Sequence, residues 1–219
     1  MTYDWGVVWE YRGLLLRGAG VTVILTVLTM ALAIPGGLAL AFLRRSRRRL
    51  VRTGATAFVE FFRATPLILQ IYWFFYVLPA TFDVQVSAFT TGLVGLSLNV
   101  SAFNSETFRA GLASIRRGQA YAGLALGMTP RQVMWQVVLP QAVWRVLPAL
   151  ASTWVSLFKD TSLVSVIAVT ELMLATKELI STTFQPFPLY IAAAGVYWVL
   201  SLAFEQLQRV LERRLAFPH

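Results

Sequence analysis

Polar side chains interrupt an otherwise apolar chain at a few places, and any chemistry has to reside there. Gln70 lies one turn beyond Thr65-Pro66 in an apolar run. Asn99 and Glu106 are spaced to share one helix face, with Arg109 a turn beyond Glu106. Thr153 precedes a compact polar group, Lys159-Asp160-Thr161-Ser162, in a fourth apolar run. An ionised side chain at mid-bilayer costs about 2.5–3.5 kcal/mol on insertion scales, so it must face protein or water. Amide, hydroxyl and carboxylate groups in such positions suit the passage of a polar solute. Each also has a structural reading. Glu60 can pair with Arg63, Glu106 can be neutralised by Arg109, and Lys159 to Ser162 can form a polar knot.

Enzymatic chemistry has little to work with. The one histidine is His219, there is no cysteine, and no HExxH occurs, which leaves a metal hydrolase or a His-based serine mechanism without its groups. No GxxxxGK[ST] loop is present to cradle nucleotide phosphates.

The positioning elements follow from hydropathy. The chain has 219 residues, 57% of them hydrophobic, and a mean hydropathy of +0.65. This is an all-α integral membrane composition. Apolar runs at 21–43, 57–79, 88–113, 143–169 and 188–204 predict about five spans in a single domain, 1–219. The net charge of +9 is not spread evenly. Arg44, Arg45, Arg47, Arg48, Arg49 and Arg52 share one loop, Arg116, Arg117, Arg131 and Arg145 flank the next, and Arg209, Arg213 and Arg214 close the chain. With five spans all three groups fall on one side, which the positive-inside rule makes cytoplasmic, with the N-terminus outside and the C-terminus inside. The arginines then face membrane lipid; no nucleic acid partner is expected.

Within the spans, Gly18, Thr22, Thr26 and Thr29, with Gly36 and Gly37, predict a small-residue face for close helix packing, and Pro35 a kink. Thr65-Pro66 reads as an N-cap and first-turn proline where a helix restarts. Asp160 is read as the cap of a second half-helix, whose free N–H groups would favour a carboxylate.

The segment 114–140 is a polar excursion between spans. A short helix is predicted over 119–126, kept slim by Ala120, Ala122, Gly123 and Ala125 and closed by Gly127 in a left-handed cap. Thr129-Pro130-Arg131-Gln132 fits an N-cap, a first-turn proline and a capping-box glutamine. The next helix is expected to stop at Pro140.

This segment resembles the EAA loop of bacterial ABC importer permeases. Gly127 and Val137-Val138-Leu139-Pro140 fall at the family's spacing, and Tyr121-Ala122-Gly123 stands where Glu-Ala-Ala is usual. The likeness extends to the polar amino-acid subfamily through Arg63-Ala64-Thr65-Pro66-Leu67, Glu106-Thr107-Phe108-Arg109-Ala110-Gly111, Leu139-Pro140-Gln141-Ala142 and Lys159-Asp160-Thr161-Ser162-Leu163. The resemblance implies the ABC type I importer permease architecture and a place in the bacterial cytoplasmic (inner) membrane. Taken with the polar positions and the slim loop helix above, it makes Gln70, Asn99, Glu106, Thr153, Lys159, Asp160, Thr161 and Ser162 candidates for lining half of a pathway, and Gln119, Tyr121, Ala122, Gly123, Ala125, Leu126 and Gly127 candidates for a coupling element. Its partners would be a second permease, identical or paralogous, ABC ATPase subunits that carry ATP and Mg, and a periplasmic or lipid-anchored solute-binding protein. This chain itself would hold no cofactor or metal. With Ser152 where the family often has Asn and Thr153 where it sometimes has an acid, a polar or acidic amino acid is favoured over arginine or lysine. A passive channel or a structural membrane subunit is the alternative.

Overall fold

The computed structural model describes residues 3–215; His219 and the side chains of Arg213 and Arg214 lie outside the described part. Every regular element described is helical. After a single turn, α1 (Gly6–Glu10), the chain enters α2 (Arg12–Leu43). This helix starts well before the apolar run at 21–43. Apolar length marks what lipid can cover, whereas the hydrogen-bonded helix runs on past Arg17 to Arg12, whose guanidinium stacks 4.5 Å over Trp9. At 32 residues, α2 is about 48 Å long, longer than the ~30 Å hydrocarbon core.

The expected span 57–79 is two arms. α3 (Arg49–Ala64) and the arm Leu67–Phe82 meet at 110°. Thr65 is extended, as a residue before proline must be. Its hydroxyl donates back to Phe61 O (2.8 Å) and caps no new turn, so the predicted N-cap role is wrong. The second arm comprises α4 (Leu67–Tyr72), a π-helical stretch Trp73–Val77, and α5 (Leu78–Phe82). The third span appears as α6 (Ala88–Ala113), at the bounds expected, capped by Ser87 accepting from the Thr90 N–H.

In the central loop, α7 (Arg117–Ala125) ends at Gly127 with φ +81°. The short α8 (Pro130–Gln132) opens with a full capping box between Thr129 and Gln132. Pro140 does not stop the helix, contrary to expectation. A π-helical stretch Val133–Val138 leads straight into α9 (Leu139–Asp160). The same device precedes Pro79. A proline ring collides with the carbonyl four residues back and offers no N–H. A widened π turn just upstream accommodates both faults without ending the helix.

A 3₁₀ stretch, Thr161–Ile167, continues α9. Then come α10 (Leu172–Thr183), which no apolar run foretold, and α11 (Pro186–Leu215).

α2 and α6 form the central pair. Gly36 meets Ser101, Gly37 meets Asn104, and Arg44 meets Glu106, so the two helices run parallel. An added Cβ on Gly37 would sit 2.6 Å from Asn104 Cβ and 3.0 Å from the Ser101 carbonyl oxygen. Small residues therefore set this separation, as the sequence pattern predicts. Thr22, Thr26 and Thr29 are all buried. α9 packs antiparallel on α6, and α11 covers α9 through Phe204 against Phe158 at 4.5 Å. The core gathers Leu25, Met30, Ile71, Leu96, Val100, Leu157, Val164 and Ile167.

Among the described residues, α2 and the 186–210 part of α11 are long and apolar enough to cross a membrane, and the bent α3–α5 pair makes a third candidate. α6 and α9 have the length, but polar residues interrupt their apolar faces.

Candidate functional site

Two open-sided cavities line the seam between α6 and α9. The first, about 500 Å³, is bordered by Arg63, Phe103, Glu106, Thr107, Arg145 and Thr153. The second, about 300 Å³, is bordered by Asn99, Phe103, Ser152, Thr153, Ser156 and Asp160. Phe103 and Thr153 border both, so the two are neighbouring lengths of one groove. Helical spacing explains the lining. Asn99, Phe103 and Glu106 stack along one face of α6, and Ser152, Thr153, Ser156 and Asp160 along the facing side of α9. Among the pathway candidates, Asn99, Glu106, Thr153 and Asp160 thus come together.

Glu106 is held by two arginines. It pairs with Arg109 and accepts from Arg44 Nη1 at 2.7 Å. Its side chain stays 25% exposed towards the groove. The Arg109 pair was expected from spacing. Arg44 was not, since only the parallel α2–α6 packing brings residues 62 positions apart together. The Glu60–Arg63 pair does not form among the described contacts. Glu60 lies 3.9 Å from Arg44, and Arg63 stands 5.6 Å over the Phe103 ring at the first cavity.

Gln70 does not line this groove. It is buried, and its Nε2 donates to Phe62 O (2.9 Å), Thr65 O (3.1 Å) and Thr65 Oγ1 (2.7 Å), while its Oε1 accepts from Asn99 Nδ2 at 3.0 Å. It clasps the 110° bend and ties it to α6.

The Lys159–Ser162 group is split by the helix that carries it. Asp160 faces the groove, while Lys159 and Ser162 border a separate cavity of about 490 Å³ with Tyr197, Trp198, Ser201 and Glu205 of α11. Thr161 points into the core and donates to Phe158 O at 2.7 Å. Asp160 caps nothing. It has α-helical torsions, and the Thr161 N–H is already bonded to Leu157 O. The helix narrows to 3₁₀ without releasing N–H groups, so the expected carboxylate-binding half-helix end is absent here.

The capped break comes later, at a residue the sequence reading passed over. Ala168 turns left-handed (φ +62°), and Glu171 then caps α10, accepting from the Met173 and Leu174 N–H groups at 2.9 Å each. Glu171 is fully buried and also accepts from Tyr197 Oη at 2.7 Å, with Thr22 Oγ1 at 3.5 Å. Its signal was an acid placed directly before an apolar helical run.

On the loop, Gly123 faces inward, where a Cβ would come within 2.9 Å of Val133 Cγ2. Gln119, Tyr121, Ala122, Ala125 and Leu126 are exposed. α7 is therefore packed on its small face and presents an apolar outer face.

A polar groove between two long helices, beside helices apolar enough to cross a membrane and an exposed two-helix loop, suits a transport permease, and comparison with known proteins agrees on that class. Residues 33–217 match the family described as "Binding-protein-dependent transport system inner membrane component". The chain belongs to this family. It is 34% identical over 216 residues to the glutamine transport system permease protein GlnP of Escherichia coli K12, covering 98% of this chain and 99% of that one. The L-cystine transport system permease protein TcyB of Bacillus subtilis is 38% identical over 195 residues, covering 89% and 83% of the two chains. A solved structure titled as an amino acid ABC transporter with histidines superposes with a TM-score of 0.93 at 33% identity, covering 98% of this chain and all of that one. The all-α type I importer permease architecture follows.

Proposed function

We propose that the whole chain, 1–219, forms one half of an ATP-driven import pathway for a polar amino acid in a bacterial cytoplasmic membrane, its N-terminus outside and C-terminus inside. The α6–α9 groove carries this reading. It offers carboxylates from Glu106 and Asp160 and guanidinium groups from Arg63 and Arg145 along one open-sided track. Mixed charge of this kind matches a zwitterion, whose ammonium and carboxylate both need partners in a low-dielectric setting. The open side fits closure by a second permease. Glutamine, L-cystine and histidine, named in the titles of relatives, are all polar amino acids, and an acidic one remains the competing substrate.

Energy would come from ABC ATPase subunits carrying ATP and Mg, which dock on the exposed face of α7 around Tyr121 and Leu126. A solute-binding protein delivers the solute on the other side. The test is uptake by the reconstituted complex. ATP-dependent accumulation of glutamine, histidine or cystine is expected. Gly127→Val should uncouple it from ATP hydrolysis, because a β-branched residue is strained at φ +81°. Uptake that proceeds equally without ATP would instead support a passive channel.

A further inference from the structure

We propose that the arginine turn after α2 and the start of α3 form a binding surface for anionic phospholipid headgroups. α2 ends its apolar course at Leu43, and Arg45, Arg47, Arg48, Arg49 and Arg52 follow, all exposed. Among the described residues none of these five has a carboxylate within 4.0 Å. Only Arg44 turns inward, to Glu106. The end of a membrane-crossing helix must surface at a headgroup layer, whichever side of the membrane that is.

Two further observations favour lipid as the occupant. Leu50, set among these arginines, is 89% exposed, more than any other large apolar side chain described. In water that exposure is unfavourable; at the boundary between headgroups and acyl chains it is relieved. The bend of 110° is the second. If the Leu67–Phe82 arm crosses the bilayer, α3 runs close to the membrane plane, as an interfacial helix does. One side of α3, at Ala55, Val59 and Phe62, is buried; Phe61 remains exposed with Leu50. Guanidinium forks match phosphate geometry, and each arginine near an anionic surface contributes about fivefold in affinity. Free phosphate would satisfy the arginines but leave Leu50 in water.

Lipid retention tests this independently of what the chain transports. The assembled transporter is placed in nanodiscs of phosphatidylcholine with a minority of phosphatidylglycerol, released into mild detergent, and the retained lipid is identified by mass spectrometry. The wild type should retain phosphatidylglycerol in excess of its share. The triple variant Arg45→Gln, Arg47→Gln, Arg49→Gln keeps Arg44, Arg48 and Arg52 to orient the chain, and should lower that enrichment at least about tenfold. Leu50→Ser, with every charge intact, should lower it a few-fold and supplies the answer should the triple variant fail to insert. Unchanged enrichment in the variants that insert overturns the proposal. So does release of the lipid by inorganic phosphate but not by chloride of equal ionic strength, which would assign the arginines to free phosphate. Loss of the ATPase subunits from the triple variant in detergent, with lipid retention intact, would assign the surface to a protein partner and overturn it equally.

Discussion

α2 meets a carboxylate at two places, one within its N-terminal half and one at its C-terminal end, and treats them in opposite ways. Thr22 approaches Glu171 and Arg44 holds Glu106; the two positions are about 33 Å apart along the helix, close to the ~30 Å of a bilayer core. Glu171 is sealed. Both its oxygens accept hydrogen bonds, from two backbone N–H groups and a tyrosine, and it joins α2, α10 and α11. Glu106 has two arginine partners yet keeps a face on the groove. A polar group satisfied on every side fixes helices in place. One left partly open can still exchange partners with a solute.

The largest effect is expected at the sealed site. Glu171→Leu leaves two partly buried N–H groups and the partly buried Tyr197 hydroxyl without their acceptor, at up to about 1–3 kcal/mol each. Thermal unfolding of the purified complex should fall sharply, and Glu171→Gln, which keeps an acceptor, should fall less. If Glu171→Leu unfolds like the wild type, the contrast between the two sites is wrong.

Between the two sites, Gly37→Ala should force α2 from α6 at a cost of about 1–3 kcal/mol, since the new methyl meets backbone at 3.0 Å. Gly20→Ala on the same helix meets nothing within 4 Å and should be neutral or stabilising by up to about 1 kcal/mol. Chemical or thermal denaturation of the pair in one lipid separates packing from helix propensity.

At the open site, Glu106→Ala should cost about 1–2 kcal/mol, between an exposed and a buried ion pair, but should abolish most transport. Adding Arg109→Ala should recover stability only in part, because Arg44 still lacks its partner. Recovery of transport in that double variant would make Glu106 a brace with no role towards solute.

The smallest effect belongs to Thr153, whose hydroxyl merely donates to Ala149 O at 3.1 Å on the groove wall. Thr153→Ala should change stability by less than about 0.5 kcal/mol while shifting the KM for uptake between competing amino acids.

Local chemistry made much of this protein readable from its residues. The bounds of α6, the Gly127 cap, the Thr129–Gln132 capping box and the small face of α2 all rest on neighbours within a turn or on one-sided periodicity. The chain does break at Thr65-Pro66 as read, but the capping roles given to Thr65 and Asp160 and the stop given to Pro140 failed, because a helix end is not decided by one residue. A π turn upstream rescues Pro140, back-bonding to Phe61 takes the Thr65 hydroxyl, and a 3₁₀ continuation occupies the N–H beyond Asp160. Arg44 beside Glu106, and Glu171 beneath Tyr197, depend on which helices pack together and in which direction. A sequence can specify that polar groups in lipid must find partners. Only tertiary packing chooses them, because those partners lie many residues away on other helices.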